Sequence, residues 1–133
     1  MEITNMLVDP MLEQDGVWVE YDETTKFLIG SLNSKRYRKF YREALDKARK
    51  VSRINLTDDQ SDAINIEVMA KAVLLNWQGV VMKGAAYPAT EANKIYVLTH
   101  CPQVREFIVS RSTNFELFKR EQVEEAKAQL GEG

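Results

Sequence analysis

The residues able to do chemistry are few. Within 133 residues there is one histidine and one cysteine, and they are neighbours, His100-Cys101. A nucleophile and its base must meet side chain to side chain and be backed by an orienting third group, an arrangement that adjacent residues rarely reach. The pair therefore reads as a helix-boundary histidine beside a thiol that packs as a small hydrophobe. The same counts exclude most zinc sites, catalytic histidine pairs and iron–sulfur clusters. The carboxylate pairs Asp58-Asp59 and Glu124-Glu125 fall in the first turn and on the exposed face of expected helices, where the helix dipole and solvent account for them. Neither a G-x-G-x-x-G run nor a Walker-type lysine occurs. No catalytic, metal or cofactor-binding residue is assigned, no cofactor is expected, and the chain reads as a non-enzyme.

One cluster of charge remains. Residues 34–53 carry nine bases against two acids, residues 1–33 seven acids against one base, and residues 54–133 eleven acids against eight bases. The blocks sum to −6 for the first, +7 for the second and −3 for the third, inside a total of −2. A basic block of this kind could face nucleic acid, or the acidic N-terminal segment of its own chain or of a neighbouring copy. Clustered Lys and Arg suit phosphates, and Tyr37 and Tyr41 could stack on bases. Both tyrosines, however, fall on the apolar stripe that should face the core, and no groove-reading motif accompanies them. A small nucleic-acid-binding regulatory protein using the helix at 34–53 is thus the alternative function, and nucleic acid is not the expected partner.

The elements that must position these residues can be read in order. With 44% apolar and 29% charged residues, the chain has the balance of one ordinary globular domain. A lone cysteine favours a reducing compartment. Apolar runs such as Val73-Leu74-Leu75 are far shorter than the roughly 20 residues of a membrane span, and Met1 to Pro10 lacks the pattern of a signal peptide, so no membrane association is expected. Residues 1–15, broken by Asp9-Pro10 and Asp15-Gly16, read as a flexible or loosely packed arm, and residues 16–133 as a single α-rich domain. The fold class expected is mainly α: an N-terminal β-hairpin at about 17–30 packed on four to five helices at about 34–52, 58–76, 90–99, 102–112 and 114–129. Alternation sets Val17, Val19 and Tyr21 on one face of the hairpin and Trp18 on the other. Such a hairpin is only marginally stable alone and must dock on helices or on another subunit.

The helix at 58–76 starts at a capping box, Thr57 with Gln60, and carries two apolar sectors. Ala63, Ile66, Ala70, Val73, Leu74 and Trp77 form one; Ile64, Val68, Ala72 and Leu75 form another roughly opposite. A helix apolar on two sides is sandwiched. It is either central to the domain or has one face against a partner, and Ile64, Val68 and Leu75 are the candidate partner-binding residues. Thr90 caps the next helix and Pro102 opens the one after it. A second capping box, Thr113 with Glu116, is expected to restart the terminal helix.

Val73-Leu74-Leu75-Asn76-Trp77-Gln78-Gly79-Val80, the turn at Gly84, Tyr87-Pro88 and the helix Thr90-Glu91-Ala92-Asn93 resemble the tail assembly chaperones of long-tailed (siphovirus-type) bacteriophages. That family commonly shows a helix ending in a Leu-x-x-Trp-x-Gly-Val element, then a Gly-containing loop and a short Leu-rich helix. The opening strand Gly16-Val17-Trp18-Val19, the hairpin and the basic helix extend the likeness over residues 16–130. The structural motif residues are Trp18, Trp77, Gly79, Gly84 and Pro88. The resemblance implies a non-enzymatic assembly factor that acts in the host cell cytoplasm and is absent from the mature virion. It would bind the tape measure protein, keep it soluble and help recruit the major tail tube protein. Self-association is expected beside it, since many weak sites gain by avidity.

Overall fold

The computed structural model describes residues 1–51 and 55–119. Helices predominate, alongside one three-stranded and one two-stranded antiparallel sheet. After a 3-10 turn at Ile3–Met6 come helix α1 (Pro10–Asp15), strands β1 (Val17–Glu20) and β2 (Lys26–Ile29), and helix α2 (Lys35–Val51). Helix α3 (Asp58–Ala72) leads into strand β3 (Leu74–Gln78) and the short strands β4 (Val81–Met82) and β5 (Ala85–Ala86). Helices α4 (Glu91–His100) and α5 (Pro102–Ser112) and a 3-10 turn at Phe115–Phe118 follow. No described helix is long and apolar enough to cross a membrane.

The N-terminal stretch, read in the sequence as a flexible or loosely packed arm, carries a capped helix that is tied to the rest of the chain. Asp9 accepts a hydrogen bond from the Met11 amide and caps α1, with Pro10 at the first helical position where its missing N–H costs nothing. The Asp9 amide donates to the Phe118 carbonyl, the Ser31 amide to that of Glu13, and Glu13 itself is buried. Six residues are too few to hold a helix alone; these tertiary bonds, invisible to periodicity, supply the difference.

β1 and β2 pair with Val19 opposite Phe27 and Val17 opposite Ile29. A third strand joins them: β3 runs antiparallel to β2, Trp77 opposite Phe27 and Leu74 opposite Ile29. The helix expected to reach residue 76 therefore ends at Ala72. The sequence misleads here for a definite reason. A bulge between Leu28 and Ile29 shifts the register, so Leu74 and Trp77 both turn inward. Residues three apart on one side look like a helical face, whereas an unbulged strand would set them on opposite sides. The third strand also relieves the hairpin's marginal stability.

α3 is the central helix. Its capping box forms as the sequence predicts: the Thr57 hydroxyl accepts from the Gln60 amide and the Gln60 side chain accepts from that of Thr57. Ile66, Met69, Ala70 and Val73 join Phe27, Ile29, Leu74, Trp77, Val97, Leu98 and Ile108 in the core. On the opposite side Ile64, Val68 and Ala72 are buried as well, and α2 packs over that side with Phe40 and Ala44 beside Val68. At the far end, Asn114 rather than Thr113 caps the last turn, accepting from the Glu116 amide, while the Thr113 hydroxyl donates back to Val109 and closes α5. Phe115–Phe118 is a 3-10 turn with Phe118 fully buried, and the remainder of the helix expected at 114–129 lies outside the described residues.

Candidate functional site

Two surfaces stand out on this frame. The first is a groove of about 350 Å³ built around the Trp77–Gly79 element. The Trp77 indole stacks on Tyr87, centroids 5.9 Å apart and planes 9° from parallel, and its Nε1 donates to the Tyr87 carbonyl at 2.6 Å. One side chain thereby buries its ring, satisfies its polar edge and fixes the start of the Pro88 segment. Gly79 stands at φ +81°, and a Cβ there would lie 1.8 Å from the Thr24 carbonyl oxygen. Only glycine permits both the left-handed backbone and this approach of β3 to the hairpin tip. Lys83 and Gly84 both have positive φ, 51° and 80°, the pattern of a two-residue turn whose twist matches the β4–β5 hairpin it joins. The Tyr87 amide donates to the Val80 carbonyl and the Asn93 side chain to that of Pro88, so the loop is tied at both ends.

The groove runs between this loop, the hairpin tip and α4. Val80, Val81 and Met82 form one wall, Tyr21, Thr24, Thr25 and Phe27 a second, and Tyr96, Val97, Cys101 and Val104 the floor and far side. Val81 is 64% exposed and Tyr96 47%, so large apolar groups face solvent at its rim. The lining is mostly aliphatic and aromatic, with hydroxyls and the Cys101 thiol rather than charges as its polar groups. It offers a slot for the apolar face of a helix or strand.

The site residues read from the sequence fare unevenly. Gly79 lines the groove, Trp77 stacks on its lining residue Tyr87, Gly84 turns the β4–β5 hairpin that carries Val81 and Met82, and Pro88 follows Tyr87 and is held by Asn93. Trp18 does not; it sits on the outer side of the sheet, 41% exposed. Ile64 and Val68 are buried within the chain, so they cannot form a partner surface, and Leu75 is a half-buried strand residue near Gly16 and Gly30 instead of a helical one. The sequence left α3 between two readings, and the central one is correct. Met82 and Val97 escaped the sequence reading, and Tyr87 entered it only beside Pro88, because three separate elements bring them together. The only signal was indirect: two glycines and a proline bracketing an apolar loop. His100 tilts over Tyr96 with ring centroids 4.5 Å apart, and the half-buried Cys101 links α4 to α5.

The second surface is the outer side of α2. Lys35, Arg38, Lys39 and Arg42 follow the i, i+3, i+4, i+7 spacing of one helical face, and all four are exposed. Among the described residues none of them forms an ion pair. Tyr37 and Tyr41 stack on each other, 5.9 Å between centroids, and are half-buried on the inner side. Burial, then the neighbouring Tyr41, pushes the Tyr37 hydroxyl above its usual range.

The fold and both surfaces define a small helix-rich protein with an apolar groove and a cationic helix, of phage origin by its sequence relationship. Residues 32–128 match the family model of the YdaY prophage protein, and the chain belongs to that family. No curated protein and no solved structure matches it.

Proposed function

We propose that this protein is a tail assembly chaperone of a long-tailed phage, a non-enzymatic factor that works in the host cytoplasm and leaves before the virion is complete. Its client is the tape measure protein, which it keeps soluble while major tail tube subunits are recruited. The observation that carries this reading is the groove: the Trp77–Gly79 element by which the chain resembles that family is the scaffold of an apolar slot rimmed by exposed Val81 and Tyr96. A long helical client exposes apolar stripes, and a slot of this kind covers such a stripe by the same hydrophobic burial that forms a helix-in-groove complex. Membership in a phage-derived family supports the setting. A nucleic-acid-binding regulator has the α2 cations in its favour but lacks exposed rings beside them for base stacking.

Co-expression with the tape measure protein of the same phage tests the reading. Wild type should raise the soluble fraction of the client and co-purify with it. A Val81→Asp/Tyr96→Asp variant, folded by circular dichroism because both positions are exposed, should do neither. A client equally insoluble with and without the wild-type protein would sink the reading.

A further inference from the structure

The ridge of Lys35, Arg38, Lys39 and Arg42 is unexplained by the fold. Like charges three and four residues apart on a helix repel, so the ridge weakens α2 in isolation and favours an anionic cover. Glu43 borders the ridge and also acts on Lys71, and among the described residues no carboxylate lies within ion-pair distance of the four cations. The chain does carry a matching anion elsewhere. At the tip of the β1–β2 hairpin, Glu20, Asp22 and Glu23 are exposed, with Lys26 4.0 Å from Glu20 as the one opposing charge among them. The tip is preorganised: Asp22 accepts from the amides of Thr24 and Thr25 and from the Thr24 hydroxyl, and those bonds hold its carboxyl below the usual range.

Tip and ridge cannot meet within one molecule. β2 enters the core against the Ile66, Met69 and Ala70 side of α3, whereas α2 covers the opposite Val68 side. The tip also lies at the far end of β2 from the start of α2, against Gly79. Between molecules nothing prevents it. We propose that the acidic hairpin tip of one copy docks on the Lys35–Arg42 ridge of the next, a head-to-tail contact. Because the two surfaces differ and lie on opposite sides, each copy keeps one of each free, and the contact repeats into a ring or a filament rather than closing as a dimer. Charge complementarity favours a second copy over nucleic acid as the occupant. Tyr37 and Tyr41 turn inward, leaving no stacking platform, and the chain as a whole is acidic. The inference stands independently of the client groove.

Charge reversal with rescue tests it on the full chain, by sedimentation velocity at low and high salt. Wild type should run well above 15.3 kDa at low salt and fall toward that mass as salt screens the contact. Arg38→Glu/Arg42→Glu and Glu20→Lys/Glu23→Lys should each sediment as monomers with wild-type circular dichroism. An equimolar mixture of the two should regain the wild-type mass, because each reversed surface finds its complement only on the other variant. Unchanged association of either variant, or a mixture that stays monomeric, would overturn the proposal. So would a wild-type protein that is monomeric at low salt and retards duplex DNA, which would assign the ridge to phosphates.

Discussion

Helix α2 and the segment Leu74–Pro88 carry the two surfaces of this protein, and they are built in opposite ways. No described residue of α2 is buried; the helix lies on α3 through half-covered groups, and its character resides in the spacing of many similar side chains. In Leu74–Pro88 nearly every feature rests on a single residue: the Trp77 stack, the Gly79 approach, the Lys83-Gly84 turn. A surface made of repetition tolerates the loss of one member. A surface made of unique contacts does not, and the groove should be far more sensitive to mutation than the ridge.

The largest effect expected tests whether α2 truly covers α3. Val68 is 1% exposed beneath α2. Val68→Asp buries an unpaired charge, at a cost on the order of the ~5–15 kcal/mol that stabilises a small domain, and the protein should lose its cooperative thermal transition. A folded Val68→Asp would mean that α2 does not seal that side, and the contrast between the two regions would break.

Next comes a pair of glycines. Gly79→Ala should cost about 3 kcal/mol or more, because the new Cβ meets the Thr24 backbone at a site that is also left-handed. Gly84→Ala has a similar φ but open space around it, and should cost only about 1 kcal/mol. Urea unfolding of both variants reads the difference, and equal losses would show that the tip does not press on Gly79. On the ridge, Lys39→Ala should change stability by less than about 0.5 kcal/mol in the same assay.

The smallest effect concerns Asp62, whose carboxylate receives Arg105 Nη2 at 2.6 Å on an exposed surface. The hydrogen bond from Arg105 holds its carboxyl below the usual carboxylate range. A depressed folded value means a contribution present above the unfolded value and lost as pH falls through the folded one. Wild type and Asp62→Asn should therefore differ slightly in melting temperature at neutral pH and converge in acid. A gap that widens in acid would contradict the assignment.

The two regions also divide what was legible in the sequence. α2, α4 and α5 follow from stripes, caps and Pro102, because periodicity reports a local property. The Thr57–Gln60 box is local too and formed as written. β3 was not legible, since the bulge gave Leu74 and Trp77 a helical spacing and their pairing with β2 reaches across more than forty residues. The groove was half legible: its scaffold residues carry a motif, but its lining comes from the hairpin tip, the β4–β5 loop and α4, which only the fold assembles. Ile64 and Val68 were misassigned because a wheel shows that a helix is apolar on two sides and not what covers each one.

Site-specific photocrosslinking to the tape measure protein tests the central claim most directly. A photoreactive residue would replace Tyr96 at the groove rim or Arg42 on the ridge, both exposed. The account predicts a client adduct from position 96 and none from position 42. Crosslinking from position 42 with none from 96 would contradict it and move the client to the basic helix.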